Sequence, residues 1–381
     1  MPTRQPLVSI ITPSFNSGRF LSHSLASMHA QSYPNLEHVV IDGNSTDETL
    51  SILARSSHVD WISESDQGQA DAINKGFQRA KGEIIGWLNA DDSYTPQVIE
   101  QAVTYLQQQP ETMLVYGHFN FIDQHNQVLY THRVAEFSRQ GLLYGNIIPN
   151  AGMFFRRDLL DKVGGLNPAL HYVMDWEFAL RVALHHPIYL APAVWGNFRI
   201  VTGTKSVNQA HQFWPEIIPI LDTVSQQKAD LHAERKSALF SAHLYGAVEF
   251  ARSDDFASTQ RYWQHALQNR QPHADELPQL AFAIAETSTR PWHRAFQQHP
   301  TASETLQRFV DSLGRSSLED QLIAHLQPYQ TILDNPKAIK NLQHIAVGGS
   351  MMRFYLYNLI GNRATLGLRS LKNRWVSTKL K

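Results

Sequence analysis

The chain has 381 residues, 43% hydrophobic and 18% charged, and no cysteine, which suits two or three packed domains and excludes a disulfide scaffold, a thiolate zinc site and a cysteine nucleophile. Its 20 glycines and 18 prolines show no collagen period or disorder bias, and no apolar run approaches the roughly 20 residues that span a bilayer. The net charge of −1 conceals an asymmetry: residues 335–381 hold nine Lys and Arg and no Asp or Glu, leaving 24 basic against 34 acidic residues before them.

Residues 7–12, Leu-Val-Ser-Ile-Ile-Thr, predict a buried strand. The run is too short for the apolar centre of a secretory signal, so a soluble, cytoplasmic protein is expected. Phe20, Leu21, Ser24, Leu25 and Met28 then fall at helical spacing. Residues 36–42 predict a second strand, Asn44, Ser45 and Thr46 cap a helix through Ala54, and residues 59–62 give a weaker third strand. A helix over 70–80 leads to a strand at 83–88, and Pro96 suits the first turn of a helix running to about Gln108. This alternation predicts an α/β fold, a mostly parallel sheet with helices on both faces.

After Met113 the pattern changes. Residues 115–122 and 128–131 predict a hairpin around Asp123-Gln-His-Asn-Gln127. A strand is expected at 150–156, a short helix at 157–163, an amphipathic helix at 175–185 and two strands at 188–191 and 197–200. The first domain is placed at residues 1–222 and an all-helical region at 223–334. Within the latter, a helix pair turning at Ser253-Asp254-Asp255 is similar to one tetratricopeptide-type repeat. Such arrays need about three copies, so a plain bundle is expected. The tail, 335–381, mixes its basic residues with Met351, Phe354, Tyr355, Leu359 and Trp375. It suits a peripheral position on an anionic membrane surface, at the inner face of the cell membrane, and equally a terminal helix docked on the acidic body. No nucleic-acid module accompanies the charge, so nucleic acid is not expected as a partner.

Ligands of open parallel sheets bind beyond the carboxyl ends of the strands. There the sequence places Thr12-Pro13-Ser14-Phe15-Asn16, Asp42-Gly43, Ser63-Glu64-Ser65-Asp66 and Asn89-Ala90-Asp91-Asp92. Turns and helix caps account for any one of these carboxylates. Clustered on one edge, however, they repel unless a cation or donor groups stand between them. The first loop has no glycine before Gly18, which excludes a dinucleotide fingerprint, and P-loop, hydrolase-elbow and H-E-x-x-H patterns are absent. A hard-cation site contacting diphosphate oxygens remains.

Five ordered motifs carry a resemblance. Val8-Ser-Ile-Ile-Thr-Pro-Ser-Phe-Asn16, Val40-Ile-Asp-Gly-Asn-Ser-Thr-Asp47, Ser63-Glu-Ser-Asp-Gln-Gly68, Asp71-Ala-Ile-Asn-Lys-Gly76 and Leu88-Asn-Ala-Asp-Asp92 are similar to those of family 2 glycosyltransferases, over about residues 6–206. The resemblance implies the nucleotide-diphospho-sugar transferase (GT-A) fold. It also implies that Thr12, Pro13, Ser14, Phe15 and Asn16 line the base and ribose with backbone groups. Asp42 would accept the imide N–H of a uracil or thymine, Asp66 would close over base or ribose, and Lys75 would lie near the diphosphate. Asn89-Ala90-Asp91 stands where the family has D-x-D. Asp91 would be the ligand of Mg²⁺ or Mn²⁺, Asp92 would position the loop or the sugar, and Asn89 would accept from hydroxyls.

Met174-Asp175-Trp176-Glu177 matches the family's E-D-x-[DE] segment, so Asp175 falls on the position that deprotonates the acceptor, although an aspartate there also suits a helix cap. Two departures stand out: Met174 replaces a glutamate, and Val201 replaces the histidine of R-x-H, which would leave the cation to Asp91, diphosphate and water. The resemblance implies an inverting hexosyltransferase that moves a sugar from a UDP- or dTDP-sugar to a glycan or lipid-linked acceptor, in polysaccharide or glycan synthesis. The competing expectation is a non-catalytic nucleotide-sugar-binding protein whose helical region recruits partners; a dehydrogenase is a distant third. Trp87, Trp176 and Trp195 are expected in the core or a pocket wall, and Asn150-Ala151-Gly152 behind the acceptor cleft.

Overall fold

Strand β1 (Val8–Ser14) is buried at all seven positions, as a β-branched run with helices on both sides must be. In this computed structural model, residues 5–269, 280, 283–284, 287 and 300–313 are described. β1 pairs in parallel with β2 (Leu36–Asp42) and β4 (Ile84–Trp87), and β2 pairs in parallel with β3 (Asp60–Ser63). The loops after these four strands therefore share one edge. Connecting them are α1 (Gly18–His29), α2 (Thr49–Ala54) and α3 (Gln69–Arg79).

The second half of the sheet is mixed. Following β5 (Ser93–Tyr94) and α4 (Val98–Gln108) come β6 (Leu114–Ile122), β7 (Val128–His132), β8 (Met153–Arg156), α5 (Leu159–Val163), α6 (Met174–His185) and β9 (Ile188–Arg199). The order is β3-β2-β1-β4-β8-β6-β9-β5, with β7 hairpinned onto β6. β8 enters antiparallel between β4 and β6, and β9 lies parallel to β6.

Three local readings change. The two strands expected at 188–191 and 197–200 are one 12-residue strand, β9. Its register against β6 shifts around His118, which lets the strand pass Pro192, a residue with no N–H for the ladder. Pro96 stands before α4 rather than in its first turn, because Gln97 is left-handed (φ 64°) and the helix starts at Val98. Residues 150–152 form a 3-10 turn ahead of β8.

Helices cover both faces. On one, Val8, Ile10, Ile84, Val115, Phe154 and Trp195 pack with Met28 of α1 and Val98, Ile99, Ala102 and Leu106 of α4. On the other, Phe155 stands between Phe77 of α3 (ring centroids 5.8 Å apart) and Phe178 of α6 (5.3 Å). Trp87, Trp176 and Trp195 are all buried.

The chain divides into two compact units, Met1–Ile200 and Val201–Lys381, so residues 201–222, counted with the first domain from sequence, fall in the second unit. The described residues of the second unit are mainly helical. They include α7 (Lys205–Asn208), α8 (Phe213–Val224), α9 (Ala229–Arg252), α10 (Phe256–Gln268) and a helix at Ala302–Leu313. α9 and α10 form the expected hairpin, with Asp255 capping α10 by accepting from the Ser258 N–H at 3.0 Å. Trp214 stacks on Tyr245, and Trp263 meets Phe309 edge-on. The basic tail lies outside the described residues, among which no helix is long and apolar enough to cross a membrane.

Gly76 fixes the α3–β1 contact, since a Cβ there would fall well inside van der Waals contact distance of Ile11 Cγ2. Glycine to alanine in a helix interior normally gains about 1 kcal/mol. Here overpacking against a stiff, β-branched side chain costs about 1–3 kcal/mol and wins. Gly76→Ala should therefore lower stability in a urea titration by about 1 kcal/mol or more; a gain would mean that helix and strand separate freely.

Candidate active site

The loops after β1, β2 and β3 are tied together by Asp42. It ends β2 opposite Ser14, fully buried. Its Oδ2 accepts from the Ser45 N–H (2.9 Å) and the Ser63 hydroxyl (2.7 Å), and its Oδ1 from the Ser45 hydroxyl. Ser45 Oγ in turn accepts from the Asn16 N–H at 2.8 Å, and Asn16 Oδ1 accepts from the Thr46 N–H at 2.9 Å. Asn16 is left-handed (φ 47°), a conformation asparagine tolerates. Thr12 is buried with its hydroxyl 2.9 Å from His38 Nε2; burial pushes that imidazole down to about 3, so it is neutral. Pro13 continues the strand. Ser14 is 3% exposed, and its hydroxyl has no hydrogen-bond partner among the described residues, which leaves a buried polar atom at this edge for a ligand to satisfy.

Phe15 is the reverse, a large ring 64% exposed. Phe15 and Asp66 both approach Gly43: a Cβ there would lie 2.6 Å from Asp66 Oδ2 and 3.4 Å from the Phe15 ring. Asp66 Oδ1 accepts from the Gly68 N–H at 2.8 Å. Lys75 donates to the Ser65 carbonyl (2.8 Å) and pairs with Glu64 (2.9 Å) and Asp71 (3.6 Å), so it braces the loop that carries Asp66.

The loop after β4 forms a second group. Gln69, which opens α3, donates to Asn89 Oδ1 (2.9 Å), and Asn89 donates to Asp92 Oδ2 (3.2 Å). Asp92 Oδ1 accepts from the Arg199 N–H at 2.9 Å. Burial holds the Asp92 carboxyl well above the usual range, with the Asp91 charge adding to it; burial also raises Asp91, against the pull of Arg199. Among the described residues, the Asp91 carboxylate receives only its own backbone N–H, and no set of three or more His, Asp or Glu side chains is placed to hold a metal.

Asp175 stands apart, in the first turn of α6. Its Oδ1 accepts from the Trp176 N–H (2.8 Å) and its Oδ2 from Asn146 Nδ2 (2.9 Å). Burial pushes its pKa up to about 6, against those hydrogen bonds. Two residues on, Glu177 is gripped by Nε and Nη2 along one edge of the Arg181 guanidinium, at 2.5 and 2.9 Å. The segment before α6 returns to α3: Asn74 exchanges two 2.8 Å bonds with the Leu166 backbone, and His171 lies beside Gly68. Asn150-Ala151-Gly152 is buried, its Ala151 carbonyl in close contact with Gly196 of β9.

Comparison with known proteins follows this geometry. The sequence model described as Glycosyl transferase family 2 matches residues 9–164. An uncharacterized glycosyltransferase of Mycobacterium tuberculosis is 34% identical over 190 residues, 48% of this chain and 71% of the relative. One from Rickettsia prowazekii is 28% identical over 220 residues, 55% of this chain and 69% of the relative. The chain belongs to glycosyl transferase family 2. Among solved structures, S. aureus TarS 1–349 in complex with UDP-GlcNAc superposes with a TM-score of 0.51 at 17% identity, covering 89% of this chain and 90% of that one; the likeness is one of fold.

In this glycosyltransferase the structure also displays residues that motif reading passed over. Arg199 and Asn146 each bond a predicted site residue, and Gln69 joins α3 to Asn89. The signal for Arg199 was its place as the arginine of the R-x-H position, where only the missing histidine was weighed. None marked Asn146.

The ionisation of Asp175 has a stability consequence. Its folded value is about 6 against 3.8 for a free carboxyl, so the unfolded chain releases its proton first as pH rises. Stability therefore falls between about pH 4 and pH 6 and levels off above. Asp175→Asn removes this loss, so the Tm of the variant minus that of the parent should grow across about pH 4–6 and then hold steady. Scanning fluorimetry over that range checks it; a flat difference would mean an ordinary carboxyl.

Proposed function

We propose that this glycosyltransferase moves a sugar from a uridine or thymidine diphosphate donor to an acceptor hydroxyl with inversion, and that Asp175 is the general base. The observation that carries the reading is the contrast at the start of α6. Asp175 has no cationic partner among the described residues, is held in direction by Asn146 and the Trp176 N–H, and has a pKa of about 6, near the working range of a base. Glu177, its neighbour, is neutralised by Arg181. Asp175 takes the proton of the acceptor hydroxyl. The freed oxygen pair forms the new bond to the anomeric carbon as the bond to the diphosphate oxygen breaks, and the nucleoside diphosphate leaves with that electron pair.

Donor recognition rests on the first edge. An ionised carboxylate offers about four lone-pair positions, and the three bonds on Asp42 leave one on Oδ1 for a uracil or thymine imide N–H. Phe15 supplies an exposed face on which the base stacks, and the Ser14 hydroxyl gains the partner it lacks. Asp66, beside Phe15, faces the ribose. Asp91, whose carboxylate is uncommitted among the described residues, would hold a divalent cation, which would supply positive charge for the leaving group.

Measurements of donor binding, transfer, its pH dependence and thermal shift test this. Calorimetric donor titration beside a transfer assay should show Asp91→Asn losing binding and activity together. Asp175→Asn should keep metal-dependent donor binding while transfer drops at least about 10²-fold. In the parent, kcat/KM should fall on the acid side of about pH 6, as Asp175 gains its proton. Near-normal transfer by Asp175→Asn would remove the base assignment. In a thermal-shift screen, a UDP- or dTDP-sugar should raise the midpoint only with Mg²⁺ or Mn²⁺ present. Equal shifts from every nucleotide would remove Asp42 as reader of the base.

A further inference from the structure

Arg199 ends β9 with its side chain 1% exposed. Its guanidinium makes four hydrogen bonds: Nε to the Asp91 carbonyl (2.7 Å), Nη1 to the Asp123 carbonyl (2.7 Å), and Nη2 to Asn126 Oδ1 (2.7 Å) and His23 Nδ1 (3.1 Å). Its central carbon lies 4.5 Å from the centre of the Phe20 ring, and its backbone N–H closes on Asp92 Oδ1. Three elements thus converge on one cation: α1 through His23 and Phe20, the loop after β4 through Asp91 and Asp92, and the β6–β7 turn through Asp123 and Asn126.

A buried charge is a costly way to staple a turn, since apolar side chains of similar volume do that work as well or better. What arginine adds is direction, because its donors lie in a rigid plane. Here the fork takes one of two adjacent aspartates by its carbonyl, while the main-chain N–H of the same residue takes the carboxylate of the other. Asp92 is consumed, by Asn89 on one oxygen and by the Arg199 N–H on the other. Asp91 is held by its carbonyl, and its carboxylate stays uncommitted. Among the described residues no set of three or more His, Asp or Glu side chains gathers here, so the aim of this one carboxylate is not averaged over a ligand set.

We propose that Arg199 is the positioning residue for Asp91: it fixes the Asp91 peptide, ties up Asp92, and makes the cation-binding carboxylate depend on the turn at residues 123–126. This rests on the reading of Asp91 given above. Outer partners of metal ligands typically govern affinity by about 10- to 100-fold.

The test uses UDP with and without Mn²⁺, and uridine, which has no diphosphate, as the control, each titrated calorimetrically into the full chain. Arg199→Lys keeps the charge but loses the plane. It should lose about tenfold or more of the affinity that Mn²⁺ adds for UDP, with uridine binding unchanged. Asn126→Gly suits the left-handed turn (φ 65°) and deletes one acceptor. It should lose about fivefold, the equivalent of one net hydrogen bond, again with uridine unchanged; it decides the matter if Arg199→Lys does not fold. A parent-like Mn²⁺ effect in Asn126→Gly and in any folded Arg199→Lys would overturn the proposal, as would an equal loss of uridine binding, which marks a general loosening. A parent whose UDP affinity ignores Mn²⁺ would instead bring down the Asp91 reading itself, and this proposal with it.

Discussion

Two neighbouring carboxylates, Asp91 and Asp92, sit at the end of a central strand beside a single buried guanidinium. Burial disfavours both negative charges, and Asp91 further disfavours the ionisation of Asp92. Arg199 offsets part of this and is itself disfavoured by burial. Inside a protein such a cluster holds only if its remaining polar atoms are satisfied. Asn89 and the Arg199 N–H do this for Asp92, while the turn at 123–126 and His23 do it for the guanidinium. Burial, with the Arg199 charge adding to it, lowers the His23 pKa and keeps the ring a neutral acceptor, which the bond from Nη2 requires. One carboxylate and its unmet charge remain, and the proposed chemistry uses them.

The rest of the proposed donor edge is held from α3. Its first residue, Gln69, reaches Asn89; Gly68, just before it, caps onto Asp66; and Lys75, farther along, grips the loop between them. On the same helix Asn74 clamps the backbone of Leu166, on the segment that runs to Asp175. Donor-side loops and the approach to the proposed base are thus referred to one rigid element. The close contact of Gly76 with Ile11 sets where that element lies on the sheet. Positioning of this kind matters because a displacement of about 1 Å can cost about 10²-fold in rate.

Much of this was legible in the sequence, and the exceptions share a cause. Residues 36–42 were readable as β2 because apolar β-branched residues between turn signals leave few alternatives. The carboxylates at 42, 66 and 91 were readable as one edge because parallel strands deliver their following loops to the same side. Proline hid the continuity of β9: a bulge in an otherwise regular ladder is a property of two strands, and the sequence displays one at a time. The partners of Lys75 and Arg199 were hidden likewise. A lysine in a motif matches a diphosphate contact, yet its pairing with Glu64 and Asp71 depends on how the loop folds back over α3. Asn146 is one polar residue in a loop of many, and its bond to Asp175 spans 29 residues.

The start of α6 shows how one helical turn gives two carboxylates different chemistry. Asp175 and Glu177 both gain from the positive end of the helix, so that field does not distinguish them. Spacing does. Glu177 has Arg181 four residues on, on the same helix face, and a planar fork closes on both its oxygens. The same guanidinium reaches the carbonyls of Val163 and Gly165, so the pair is anchored at both ends. The residue four on from Asp175 is Ala179, which offers no charge. Its carboxylate is instead met by two neutral N–H donors, which aim it but cannot neutralise it, and burial outweighs them. A group that is oriented, uncompensated and raised toward neutrality is what proton removal from a hydroxyl requires; a fully paired carboxylate is not. The difference between the proposed base and the brace in this turn therefore traces to the residues at 179 and 181.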